Sequence, residues 1–290
     1  MIVTKNRSNC LVECLASLLA QTTLIAELVL VDNRSSDETP VIIENSKKNI
    51  TFPVVTFSQR GNRAAARNYG LRAAKHDWVA FVDDDCVVDA KWLETVSSYI
   101  RIHQNTAVII GGTKTYNKLN YYSQAFSLME YLWKEIQTKN NTIFSYEIAD
   151  TKNIVYNKKF LTTHHIQFDE EIKNENYCSE DMDVGLQIQK YQGEATYLPA
   201  AFVYHKDPKS FAEFYRKIVQ YVQSKYLLSQ KWPVLFPSNK PRDTFLSKLR
   251  YIRRFKKEIH VDTFFFSIVL IHFLAGNLLK KIIWYLHYKH

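Results

Sequence analysis

Glycine is scarce in this 290-residue chain, with seven in all. Glycine is the residue that most easily takes a positive φ or lets two backbones meet. Each of the seven is therefore expected where geometry demands it. No glycine-rich basic loop follows the first strand-like residues, IVTKNRSNC, so the phosphate cradle normal in a nucleotidyltransferase is missing. Cysteine is thin as well. Cys10, Cys14, Cys86 and Cys178 show no zinc-ribbon spacing and read as reduced structural thiols, as in a cytosolic protein. The opening MIVTKNR lacks the apolar core of a secretory signal, so a cytoplasmic location is expected. No internal repeat or low-complexity block is visible.

What is present is globular: 46% hydrophobic and 23% charged residues suffice to bury a core at this length. The charge is uneven. Residues 1–205 hold 21 Lys+Arg against 24 Asp+Glu, whereas residues 206–260 hold 14 against 4. A basic field confined to one segment points to an anionic partner.

Along residues 1–112, short apolar runs alternate with segments of helical spacing. IV, AELVLVDN, FPVVTFS, DWVAFVDDD and AVIIGG read as strands; CLVECLASLLAQ, the segment after Asp37, and AAARNYGLRAAK read as helices. This alternation predicts an α/β fold with a parallel sheet and helices on both faces. Ligands of such sheets bind beyond the carboxyl ends of the strands. Further on come a helix over YYSQAFSLMEYLWKEIQ, strands near IFSYEIA and NIVYN, an acidic loop, the helix DVGLQIQKYQG and a last strand, TYLPAAFVYH. Two domains are expected, over 1–205 and 206–290. The second is helical, basic and aromatic, and is broken by the three prolines of WPVLFPSNKPRD. Its run FFFSIVLIHFLAGNLL is shorter than the roughly 20 apolar residues of a bilayer span. It reads as a helix lying in a membrane interface, or else as a helix packed on the protein or on a second copy.

Three aspartates in a row, Asp83, Asp84 and Asp85, end an apolar strand. Like charges there repel, and the usual reason to hold them is a divalent cation bound through oxygen. Mg2+ and Mn2+ favour carboxylates, water and phosphate oxygens, and imidazole also suits Mn2+. Other residues fall into the same pattern. Asp32 ends an earlier strand. Arg60, Arg63 and Arg67 flank a loop-to-helix transition suited to an anion. Glu180 and Asp181 open a helix, and His205 follows the last strand. Each has a plainer explanation alone, such as a solvated helix face for the arginines or a first-turn acid for Glu180.

Taken in order, IVTKNR, LLAQT, VDNRSSDET, GNRAAARNYG, WVAFVDDDC, NENYCSEDMDVGLQIQKYQG and LPAAFVYH resemble the inverting, nucleotide-sugar-dependent glycosyltransferases of family 2. The resemblance spans residues 2–205. It implies the GT-A fold, a Rossmann-like, mostly parallel sheet. It also implies a nucleoside-diphosphate-sugar donor with Mn2+ or Mg2+, and a glycan or lipid-linked acceptor as in polysaccharide biosynthesis. By position, Thr4 with Asn6 or Arg7, and Asp32, match residues around the nucleotide base. Arg63 and Arg67 match basic residues near the nucleotide. Asp83 matches a ribose contact, with Asp84 beside it in the nucleotide-binding set. Asp85 and His205 match metal ligands, and Asp181 matches the catalytic base. The stretch from Asn153 to Phe168, with His164 and His165, is expected on the acceptor side. Two departures stand out: Arg34 replaces a glycine, and Lys5 stands where an aromatic residue is common. The first strand is also short.

The chemistry implied is a single displacement. The acceptor hydroxyl loses its proton to Asp181 on the sugar face opposite the leaving diphosphate. The basic, aromatic C-terminal region would hold the enzyme at the cytoplasmic face of a membrane as a peripheral protein, and a homo-oligomer is compatible with the same surface. The competing reading is a non-catalytic, membrane-associated scaffold that keeps the fold; intact Asp83, Asp85 and Asp181 count against it. A nucleic-acid partner is not expected, because the basic residues adjoin an apolar helix instead of stacking aromatics on a sheet.

Overall fold

The computed structural model describes residues 1–58, 61–139, 149–171, 180–234, 252–257 and 259–288. Arg60, Cys178, the acidic loop, nearly all of the strand expected near 143–149 and most of the proline-rich break lie outside the described residues. The described residues divide into two compact units. The first takes in residues 1–114, 149–171 and 180–205, and the second residues 115–139, 206–234 and 252–288. The second unit thus includes residues 115–139, which the sequence reading assigned to the first domain.

In the first unit, β1 (Ile2–Thr4), β2 (Leu28–Asp32) and β3 (Val54–Ser58) form a parallel three-stranded sheet in the order β1-β2-β3. Between them run α1 (Ser8–Leu19) and α2 (Thr39–Lys47), and α3 (Arg63–Ala73) follows. All five residues of β2 are buried, which explains its unbroken apolar run. Helix α1 buries Leu11, Cys14, Leu15 and Leu18, the spacing of one helical face. The Asn62 side chain caps α3 by accepting from Ala65 N at 2.9 Å, filling one of the orphan donors of that end.

Next come β4 (Trp78–Val82), β5 (Cys86–Val88), α4 (Trp92–Ile102), β6 (Thr106–Thr115), β7 (Asn153–Asn157), α6 (Lys158–Thr163), α7 (Glu180–Lys190) and β8 (Glu194–His205); α5 (Tyr121–Lys139) leaves for the second unit. The second sheet has the order β4-β7-β6-β8-β5. Its pairs β4/β7, β6/β7 and β5/β8 are antiparallel, so the parallel part of the fold is β1 to β3. Apolar runs reveal strands but not the direction of their partners. The backbone of Met1 lies along β4, with its amino group donating to Ala80 O at 2.6 Å and Val82 N donating to Met1 O at 3.1 Å. Thr4 pairs with Asp32 in register. The carboxyl ends of β1, β2 and β4 therefore share one edge, and Asp83–Asp85 sit there.

Asn153 ties the second sheet together. Its amide donates to Gly112 O on β6 and to Ala201 O on β8, both at 2.8 Å. Its Oδ1 accepts from Trp92 Nε1 on α4 at 2.8 Å. A Cβ at Gly111 would run into this amide, so one scarce glycine is explained by close approach. The network is buried and its side-chain atoms are satisfied, the condition under which buried polar groups stabilise instead of costing.

The second unit is helical: α5, α8 (Phe211–Lys231) and α9 (Thr263–Tyr288) surround a core of Phe126, Leu128, Phe214, Ile218, Val269 and Phe273. Residues 252–257 are helical too. Gly276 of α9 faces Phe214 and Ile218 of α8 so closely that a Cβ there would clash. The aromatic content of the segment is thereby spent on packing, as in Tyr122 against His272 at 4.5 Å and Phe126 stacked on Tyr221 at 5.9 Å.

Replacing Asn153 by Ala leaves the Trp92 N–H and two buried carbonyls without their partner. The expected loss is about 3 kcal/mol of unfolding free energy, read from urea midpoints at constant slope. A loss below about 1 kcal/mol would show that the network is not structural.

Candidate active site

The loops after β1 and β2 are stapled to each other. Asn6 takes a positive φ of 53°, which asparagine tolerates better than most residues. Its N–H donates to Ser35 Oγ at 2.8 Å, and its Oδ1 accepts from Ser36 N at 2.7 Å. Asp32 Oδ1 accepts from Ser35 N at 3.0 Å and from Ser35 Oγ at 2.6 Å. Arg34 has φ 52°. The position where the family resemblance expects glycine is thus one whose backbone suits glycine, and this chain holds an exposed arginine there under strain.

The three aspartates go three ways. Asp84 turns inward, 5% exposed, and accepts from Thr4 Oγ1 at 2.6 Å. Thr4 and Asp84, both expected to face the nucleotide, thus bond to each other in the interior. Burial pushes the Asp84 carboxyl up to about 7, against the pull of Arg7. Asp83 lies 3.5 Å from Arg67 Nη2. Asp85 accepts from Arg7 Nη1, and its Oδ1 sits 3.4 Å from His205 Nε2. Burial acts to raise the Asp85 carboxyl, but His205 and Arg7 outweigh it and hold it well below the usual carboxylate range. His205 reaches this point because β5 and β8 pair Cys86 with it.

Arg67 joins the strand end to α7. Its Nη1 donates to Glu180 Oε1 at 2.5 Å, and Arg63 Nε lies 3.3 Å from the same oxygen. The Phe168 ring supports Arg67 with its centroid 5.6 Å from Cζ, a cation–π contact. Burial works to raise Glu180, but Arg67 and Arg63 prevail and hold it low. Its neighbour Asp181 is bonded differently: Oδ2 accepts from Thr151 N at 3.0 Å and Oδ1 from Met182 N at 2.8 Å. Burial, with Asp150 and Glu180 adding repulsion, pushes the Asp181 carboxyl up to about 7. The aspartate run and the Glu180–Asp181 pair therefore meet at Arg67.

Sequence reasoning missed the turn before β7. Asp150 pairs with Lys152 Nζ at 3.0 Å, Thr151 holds Asp181, and Asn153 N closes the turn on Asp150 O at 3.0 Å. IADTKN has no pattern that separates it from a surface turn. Both histidines of the expected acceptor-side stretch are among the described residues. His164 caps the end of α6 and stacks on Tyr191 at 4.7 Å, and His165 follows with φ 53°. Asn153 and Phe168 are both interior. Cys14 and Cys86 are buried.

Among the described residues, no three His, Cys, Asp or Glu side chains form a ready-made metal cage. Asp85 and His205 make a partial one, and Asp85 Oδ1 is buried without a hydrogen-bond partner. Mg2+ and Mn2+ in phosphate sites take one or two carboxylates and leave the remaining positions to phosphate and water. The residues present fit such an ion.

A parallel sheet edge bearing acidic strand ends, fronted by arginines and a second acidic pair on a helix, defines a nucleotide-binding α/β site of the glycosyltransferase type. Residues 1–163 match the model of glycosyl transferase family 2, and the chain belongs to that family. Glycosyltransferase GlyG of Streptococcus pneumoniae serotype 4 is 28% identical over 141 residues, which are 46% of this chain and 46% of that protein. Staphylococcus aureus TarS 1-349 in complex with UDP-GlcNAc superposes with a TM-score of 0.62 at 19% identity, covering 99% of this chain and 75% of that one. The mannosyltransferase PcManGT of Pyrobaculum calidifontis, in complex with GDP-Man and Mn2+, gives 0.60 at 15%, covering 96% and 74%. At such identities the likeness establishes the GT-A fold. The chain spans about half the length of the known relatives it matches first, 46% and 58%.

Two substitutions test the local physics. Arg67→Met keeps the volume but leaves buried Glu180 only the half-exposed Arg63, and should cost about 3 kcal/mol in urea unfolding. Arg34→Gly relieves the positive φ and should raise stability by about 1 kcal/mol. Neutral results in both would refute the charge and strain assignments.

Proposed function

We propose that this chain transfers a sugar, with inversion, from a nucleoside diphosphate sugar to a hydroxyl of a glycan or lipid-linked acceptor. The observation that carries this reading is Asp181. It is a buried carboxyl held by amide donors, with its pKa pushed up to about 7, beside the arginine that also touches Asp83. A base poised near the working pH combines a useful deprotonated fraction with real proton affinity.

Asp32 and Asn6, fixed by Ser35 and Ser36, shape the base-side pocket. Asp83 faces the ribose, and Arg63 and Arg67 supply positive charge near the diphosphate. Asp85 with His205 would hold Mn2+ or Mg2+, which neutralises charge on the leaving diphosphate when bound. Asp181 takes the proton of the acceptor hydroxyl, and Thr151 N–H fixes its orientation. Fixing both reactants turns a bimolecular step into a nearly unimolecular one, so a modest base suffices. A scaffold without catalysis requires none of these charges.

The test is turnover with UDP-, GDP- and dTDP-sugars in the presence of Mn2+. The active donor should also raise the melting temperature by mass action. Asp181→Asn should cost about 10²-fold or more in kcat while keeping that thermal shift. In the parent, kcat should rise with pH through about 7, as Asp181 loses its proton, and then level off. Asp150→Asn removes a repelling charge and should move that limb to lower pH. Full activity in Asp181→Asn, or no turnover with any donor, would overturn the reading.

A further inference from the structure

The outward face of α9 is apolar. Phe264, Ile271, Leu274, Leu278, Ile282 and Leu286 are each between 44% and 73% exposed. At 100° per residue they fall within one face of the helix, and Tyr285 joins them. The opposite face buries Phe266, Val269 and Phe273 in the core shared with α5 and α8. Contiguous exposed apolar patches of this kind mark an interaction surface.

Three occupants are conceivable, and charge and packing choose among them. By length and composition α9 is long and apolar enough to cross a bilayer over Thr263–Leu286, but a spanning helix packs only on neighbours that also sit in hydrocarbon. Here one face is packed on α8, whose own outward residues include Glu213, Arg216, Lys217 and Lys231. Those charges cannot enter hydrocarbon cheaply. A second copy would bring the same excess of positive charge, 14 Lys+Arg against 4 Asp+Glu in residues 206–260, and like fields repel. An anionic lipid surface meets both features: acyl chains for the stripe and phosphates for the cations. Arg253, Arg254 and Lys257, just before α9, are exposed.

We propose that α9 lies in the plane of an anionic bilayer surface, its apolar stripe among the outer acyl carbons and the basic residues around it on lipid phosphates. Attachment is peripheral and additive, so both the apolar and the electrostatic part are needed for firm binding. The inference is independent of the reaction assigned to the first unit.

The test uses the full chain and flotation with phosphatidylcholine vesicles, with and without phosphatidylglycerol. At low salt, the fraction floated should be about tenfold or more higher on the anionic vesicles and should fall steeply as salt is raised. The double variants Ile271→Ser/Leu278→Ser and Ile271→Glu/Leu278→Glu alter only exposed positions. Each should lose about tenfold or more in vesicle binding, with unchanged circular dichroism and melting temperature. Free phosphate should not release the protein, since the stripe requires acyl chains. The proposal is overturned if the parent does not float, or if either folded variant floats as well as the parent. It is equally overturned if the parent is a dimer that the substitutions split without any lipid binding.

Discussion

The arrangement rests on the compensation of carboxylates by two arginines. At an effective dielectric constant of about 20, two unit charges about 4 Å apart interact by about 4 kcal/mol. That exceeds the net value of an ordinary hydrogen bond, about 1 kcal/mol. Asp83, Asp84, Asp85, Glu180 and Asp181 could not gather without cations among them. Arg7, from the loop after β1, serves Asp84 and Asp85. Arg67, from α3, serves Asp83 and Glu180. Each arginine comes from a segment distant in sequence from its partners, so the same contacts that balance charge also lock loop, helix and strand end together. Asp181, bonded to amides and not to a guanidinium, is the carboxyl left to keep a high proton affinity.

Asp181 is positioned through the sheet as well as through charge. Asn153 bonds to β6, β8 and α4, and its own N–H closes the turn that aims the Thr151 N–H at Asp181. A rigid sheet therefore fixes a carboxylate that belongs to a helix. The second unit uses its aromatic residues on itself and leaves one apolar face of α9 uncovered.

Much of this was legible in the sequence, for identifiable reasons. Strand β2 is buried on both faces and β4 is buried or half-buried throughout, so both appear as unbroken apolar runs, and polar residues directly after them stand out. The Asp83–Asp85 run, Arg67, the Glu180–Asp181 pair and His205 were singled out because charge at a strand or helix end is costly and needs a reason. The inward turn of Asp84 onto Thr4 was not legible, because three consecutive aspartates look alike until side-chain directions are known. Nor was the antiparallel order of the second sheet, since period gives strands without partners. Asp150, Thr151 and Asn153 were hidden because their importance lies in contacts across 30 to 61 positions of sequence.

The central claim is that the carboxylates of β4 and α7 converge on one cation-binding, donor-binding cleft. Anomalous diffraction from crystals grown with Mn2+ and a nucleoside diphosphate tests it most directly. The account predicts one strong peak about 2.0–2.2 Å from an Asp85 oxygen, with His205 and the diphosphate completing the shell and Asp181 across the cleft. A peak remote from Asp85, or a diphosphate bound where Asp181 cannot face it, would contradict the account.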